Sequence, residues 1–142
     1  MLYGARECAR VVLQEGLEAG FRRHRLTSRA LRAGLTAMGL ELFGDPVHRM
    51  DNVTGVHVPQ AINEEGAVRA ALLGDFGIEI GTAFGPLQGK IWRIGTMGYV
   101  CRKANVLRCL SAMESVLRRH GFGTPSGAGI DAAYEIYDEQ AT

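Results

Sequence analysis

The chain has 142 residues, 46% hydrophobic and 22% charged, the proportions of one ordinary globular domain and not of a disordered or fibrous segment. Sixteen Lys and Arg against 15 Asp and Glu leave a formal charge of +1, which argues against a dedicated nucleic-acid binder and against a polybasic membrane-surface protein. No apolar run approaches the roughly 18 residues of a membrane-spanning helix, the opening residues lack the apolar core of a signal peptide, and three cysteines without C-x-x-C spacing suit free thiols in a reducing cytoplasm.

The opening segment, about Leu2 to Met38, reads as one long helix. Leu17, Phe21, His24, Ser28, Leu31, Leu35 and Met38 recur at spacings of four and three, the single-face period of a helix. Unbroken, it would be about 55 Å long, so part of it would project from a domain of this size. The alternative is a break at Gly16 or Gly20, since glycine weakens a helix interior by about 1 kcal/mol. Gly39 supplies the C-terminal stop. No Ser, Thr, Asp or Asn caps the start, so the helix either frays there or continues from a longer chain.

Beyond Gly39, Leu40–Phe43 reads as a short strand closed by the turn Gly44-Asp45-Pro46. Asn52–Pro59 alternates with period two, placing Val53, Gly55 and His57 on one face and Thr54, Val56 and Val58 on the other. Asn63 caps a helix whose apolar face is Val68, Leu72 and Leu73, and Gly74 and Gly77 close it. Phe76–Gly81 reads as extended, followed by the glycine-rich loop Gly81–Gly89. Lys90–Thr96 is the next strand, with Ile91, Arg93 and Gly95 on one face and Trp92, Ile94 and Thr96 on the other. Lys103 to His120 is a helix registered by Val106, Leu110, Met113 and Leu117. After a glycine-rich linker, Ile130 to Gln140 reads as a short acidic helix. The fold class is therefore α/β, an α+β sandwich in which helices cover one face of a small, mostly antiparallel sheet. Residues 1–123 form the domain and 124–142 a C-terminal tail.

Several kinds of chemistry are missing. The histidines, His24, His48, His57 and His120, are scattered, and no Cys/His spacing suggests zinc, so no metal site is expected. No phosphate-binding P-loop or nucleophile elbow is present. The histidines and cysteines read as structural or surface residues. Arg93 is the informative residue. It lies mid-strand beside Gly95, whose missing side chain leaves room for a planar group that accepts two parallel hydrogen bonds, the geometry a guanidinium offers a carboxylate. The bland alternative is an edge-strand arginine in water or paired to a surface acid.

The strings Phe76–Gly81, Phe84–Lys90 and Trp92-Arg93-Ile94-Gly95-Thr96-Met97-Gly98-Tyr99 resemble the C-terminal small domain of class V pyridoxal-phosphate aminotransferases, fold type I. The resemblance is to the alanine/serine–glyoxylate group, and within it to the (S)-ureidoglycine–glyoxylate aminotransferases of purine catabolism. The helix strings Leu2–Glu7 and Gln14–Glu18 and the string Met38–Phe43 agree, so the resemblance reaches to about His120. It implies that Arg93 binds the α-carboxylate of an amino-acid or oxo-acid substrate. It implies that Gly81, Thr82 and Gly85 belong to a loop at the substrate mouth. It further implies a large domain, joined through residues 1–39, that carries the cofactor lysine. Neither Lys90 nor Lys103 has that context, so no catalytic residue and no pyridoxal phosphate are expected on this chain alone. The whole enzyme is expected to be a cytoplasmic homo-oligomer, a dimer, moving an amino group to glyoxylate. The other readings are a small carboxylate-binding module and an interaction module that self-associates through Val11, Val12, Leu13 and Leu17.

Overall fold

The computed structural model describes residues 2–140. The opening segment is two helices, α1 (Leu2–Glu15) and α2 (Leu17–Ala37), broken at Gly16. Gly16 has φ 83° and ψ 139°, a conformation open to glycine and strained for any residue with a Cβ. Of the two breaks that the sequence left open, Gly20 stays helical and Gly16 turns the chain. The corner is held by Arg23, whose Nε and Nη2 donate to the two carboxylate oxygens of Glu15 at 2.5 and 2.8 Å. α2 ends at Met38. There the Gly39 N–H reaches the Thr36 carbonyl and the Leu40 N–H reaches that of Leu35, the paired bonds of a glycine-terminated helix.

Three strands follow, β1 (Val53–His57), β2 (Gly81–Thr82) and β3 (Ile91–Gly95), all antiparallel in the order β1-β3-β2. Leu40–Phe43 does not form a full strand. It makes one bridge, Leu42 to Val56, and two backbone bonds, from Phe43 N–H to the Gly55 carbonyl and from His57 N–H to the Glu41 carbonyl. The turn at Gly44 carries it off the sheet edge before more can form. Phe76–Gly81 is also shorter than expected as an extended segment. Phe76 is the last residue of α3 (Glu65–Phe76), Gly77 caps that helix in the left-handed region, and pairing begins only at Gly81. The helix starts one residue past the expected cap: Glu64, not Asn63, holds the N-cap position, without a side-chain bond.

α4 (Lys103–Arg119) buries Val106, Leu110, Met113 and Leu117 as its period requires. α5 (Ala128–Asp138) lies against α2 and α4. The α2–α5 approach is close because both sides are glycine: a Cβ on Gly34 would come within 2.6 Å of the Gly129 carbonyl oxygen. One core joins these helices to the sheet face bearing Val56, Trp92 and Ile94. The opposite face bears Gly55, Gly81, Arg93 and Gly95, of which Gly55 and Arg93 line a cleft. α1 buries no residue. No described helix is long and apolar enough to cross a membrane.

Candidate functional site

β3 is the middle strand, hydrogen-bonded on both sides. Its alternation buries Trp92 and Ile94 and turns Arg93 outward between them. Trp92 is fully buried, and its indole Nε1–H donates to Glu65 Oε2 at 3.1 Å. The backbone beneath Arg93 is thereby fixed from three sides: two strands and the indole anchor.

The cross-strand partners of Arg93 are both glycine, Gly55 on β1 and Gly81 on β2. A Cβ on Gly81 would lie 3.5 Å from Arg93 Nη2, and one on Gly95 would meet nothing within 4 Å. The guanidinium therefore lies across Gly81, with the open space that the sequence implied beside Gly95. Its Nε–H donates to the Thr82 carbonyl at 2.9 Å, and its central carbon sits 4.5 Å from the centre of the Phe84 ring. Among the described residues no carboxylate lies in ion-pair range of Arg93. The surface-acid half of the bland alternative thus does not describe this structure; Arg93 is exposed, and no described carboxylate compensates its charge.

Arg93 lines a cleft of about 470 Å³ together with Arg32, Phe43, His48, Arg49 and Phe84. The cleft is mostly apolar-walled and carries three arginines, Arg32, Arg49 and Arg93, against the Asp45 carboxylate, a net cationic lining that suits a small organic anion. The other two arginines are partly engaged. Arg32 Nη2 lies 3.3 Å from Asp51 Oδ1, and Arg49 Nε donates to the Asp45 carbonyl at 2.7 Å. The Asp45 carboxylate accepts the backbone N–H groups of His48 and Val47 at 2.8 and 2.7 Å. Those bonds hold it below the usual carboxylate range, so it stays ionised at neutral pH.

The expected loop residues divide. Gly81 and Thr82 both touch Arg93, and the Thr82 hydroxyl accepts the Gly89 N–H at 3.3 Å, closing the loop on itself. Gly85, at φ 56°, opens a short 3₁₀ turn and does not line the cleft. Phe84 and Gly55 were not singled out in the sequence. Gly55 could have been found by pairing the two alternating strands face to face, whereas the contact of Phe84 depends on a loop path that no periodicity records.

The remaining candidates are structural in this arrangement. His24 bridges the Gly20 carbonyl, 2.7 Å from Nδ1, and the Gly98 N–H, 3.3 Å from Nε2. His57 stacks edge-on against Phe43. Burial pushes the Cys109 thiol up to about 12, which leaves it inert. Lys90 is exposed, and Lys103 lies over the rings of Tyr134 and Tyr137 and 3.8 Å from Asp138. Neither lysine lines the cleft.

No family model matches the chain. Individual proteins do. The (S)-ureidoglycine–glyoxylate transaminase of Bacillus subtilis is 55% identical over 138 residues, 97% of this chain and 33% of that protein. Its crystal structure superposes with a TM-score of 0.92 at 54% identity, over 96% of this chain and 35% of that one. The pyridoxamine–pyruvate aminotransferase structure from Mesorhizobium loti gives a TM-score of 0.85 at 33% identity, over 90% and 33%. The alanine–glyoxylate aminotransferase of Felis catus is 36% identical over 119 residues, 83% of this chain and 28% of that protein. The chain spans about a third of the length of the curated relatives it matches.

Proposed function

Since this chain belongs with the C-terminal domains of the class V, pyridoxal-phosphate-dependent aminotransferases, we propose that it is the substrate-carboxylate portion of such an enzyme, one that passes an amino group from an amino acid to glyoxylate. The observation that carries this reading is Arg93: a rigidly held, unpaired guanidinium facing open space in a cleft, on a chain homologous to glyoxylate-using aminotransferases. An oxo acid and its amino-acid product share the carboxylate, so one arginine serves both half-reactions. Arg93 binds that carboxylate with two parallel N–H···O bonds and fixes the α-carbon relative to the domain that performs the chemistry. Gly81 gives the guanidinium room to lie flat, and Gly95 leaves open space beside it.

Pyridoxal phosphate supplies the electron sink for amino transfer in this family. With no lysine in the cleft, that chemistry belongs to a large domain joined through α1 and α2, and the chain alone is inactive. The amino donor is ureidoglycine, alanine or serine, with the Bacillus subtilis relative favouring ureidoglycine.

The test is Arg93→Ala in the full-length protein. Two charge-assisted hydrogen bonds lost from the substrate carboxylate, at about 1.5–3 kcal/mol each, give roughly 10²- to 10⁴-fold lower kcat/KM for glyoxylate. Arg93→Lys recovers only part, because an ammonium lacks the planar fork. An unchanged kcat/KM in Arg93→Ala removes the role.

A further inference from the structure

An arginine that must receive an anion poses a design problem. A carboxylate would hold its guanidinium in place, but it would also neutralise the charge and compete with the ligand. The partners found here are both neutral. The Thr82 carbonyl takes the Nε–H at 2.9 Å, and the Phe84 ring lies under the plane, 4.5 Å from the central carbon. An aromatic face attracts a cation without supplying hydrogen-bond acceptors to its edge.

Phe84 is otherwise hard to account for. It is 75% exposed, a heavy exposure for a phenylalanine whose neighbour Ala83 is buried. Its backbone is set by the structure around it. The Ala83 N–H bonds to the Ile91 carbonyl at 3.1 Å, and the Phe84 carbonyl accepts the Leu87 N–H at 3.3 Å. With Gly85 in the left-handed region at φ 56°, the chain turns straight after Phe84. The ring is thus held outside the core, over Arg93. The two cross-strand neighbours of Arg93 are glycines and offer no side chain to orient it.

Resting on the carboxylate reading above, we infer that Phe84 is the positioning residue for Arg93, and that the guanidinium receives its carboxylate end-on, through Nη1 and Nη2. The second part follows from donor counting. A guanidinium has five N–H donors. Thr82 occupies the one on Nε, which closes the side-on fork of Nε and Nη. The end-on pair of Nη1 and Nη2 is left for the ligand, with the ring controlling the tilt of that pair.

The experiment uses the full-length protein with Phe84→Leu and Phe84→Tyr. Phe84 is exposed, so both variants retain the fold. Phe84→Leu raises KM for glyoxylate about three- to tenfold and leaves kcat within about twofold, because it disorders the free arginine without removing a donor. Phe84→Tyr, which keeps the ring face, restores the wild-type KM. A wild-type KM in Phe84→Leu overturns the inference, and so does a Phe84→Tyr variant as impaired as Phe84→Leu. Titration with acetate provides a second readout: in ¹⁵N spectra the Arg93 Nη signals shift and its Nε–H signal stays, and the reverse pattern refutes the end-on mode. If Arg93→Ala abolishes glyoxylate use and Phe84→Leu changes nothing, only this inference fails. If Arg93→Ala is silent, the carboxylate reading fails as well.

Discussion

Two glycines in α2 should respond to the same substitution with opposite signs. In an isolated helix either Gly→Ala change would gain up to about 1 kcal/mol from helix propensity. At Gly34 the new methyl would lie 2.5 Å from Leu110 Cδ1, 2.8 Å from Leu110 Cδ2 and 2.6 Å from the Gly129 carbonyl oxygen. Leu110 is fully buried and the carbonyl is backbone within α5, so neither can swing aside. Relief requires α5 to move away from α2 and Leu110 to leave its rotamer. Overpacking of this kind costs about 1–3 kcal/mol and occasionally more, which outweighs the propensity gain. At Gly20 the new Cβ meets only the end of the Glu15 side chain, at 3.6 Å, so the propensity gain survives. Thermal denaturation of the purified protein tests the pair. Net of the propensity gain, Gly34→Ala should cost up to about 2 kcal/mol and lower Tm by up to roughly 8 °C, and Gly20→Ala should raise it by a few degrees. If Gly34→Ala is as stabilising as Gly20→Ala, the α2–α5 approach is wrong, and α5 is not part of the core.

Glu65 links a partly buried ion pair to the indole that anchors β3. Glu65→Ala strands the buried Trp92 N–H and should cost about 1–3 kcal/mol in denaturant unfolding, and Glu65→Gln, which still accepts that bond, should cost less. Its carboxyl is held below the ordinary glutamate range by the Arg69 guanidinium first and the Trp92 indole second. A depressed pKa stabilises the fold above the unfolded value of about 4.5 and loses that contribution as pH falls through the folded value. The stability difference between wild type and Glu65→Gln should therefore shrink below about pH 4.5, and a constant gap down to pH 3 would refute the linkage. On α1 and at the Gly16 corner, Val12 and Leu17 are 48% and 59% exposed. The purified chain should self-associate with rising concentration by light scattering, and the double variant Val12→Glu/Leu17→Glu should remain monomeric; a monomeric parent chain contradicts this.

Strong periodicity was the readable part of the fold. Val106, Leu110, Met113 and Leu117 are all buried in α4, and Trp92 and Ile94 lie opposite Arg93, because a period repeated over several turns or a full strand encodes a face directly. Composition alone could not say which of Gly16 and Gly20 breaks the first helix: both weaken it, and the outcome depends on the corner that Glu15 and Arg23 close. The same period in α2 includes Leu17 and Phe21, which are exposed; periodicity finds an apolar face, not what covers it. Leu40–Phe43 looked like a strand by composition but has only the edge of β1 to pair with. The α2–α5 contact through Gly34 and Gly129 has no periodic signature, since the contact consists of missing side chains. At the site, Arg93 and its open side were legible from alternation. Phe84 was not, because its position comes from the turn at Gly85 and the pinning of Ala83.

The arrangement of β3 explains why an arginine is placed on a strand and not on one of the neighbouring loops. A flexible guanidinium loses about 2 kcal/mol of rotamer freedom when a ligand immobilises it. Here most of that ordering precedes the ligand. Trp92 anchors the backbone from the core side, β1 and β2 bond it laterally, the Thr82 carbonyl accepts the Nε–H, and the Phe84 ring lies 4.5 Å from the central carbon, in the positioning role inferred for it. None of these partners carries charge at the guanidinium, so preorganisation is reached without weakening the attraction for an anion. Glyoxylate, the oxo acid proposed above, is a very small ligand with few other groups to contact, so a large share of its binding would come from its carboxylate. For such a ligand, a preordered and uncompensated guanidinium decides whether binding is measurable at all. A larger substrate could tolerate a looser arginine, because its other contacts would share the cost of ordering.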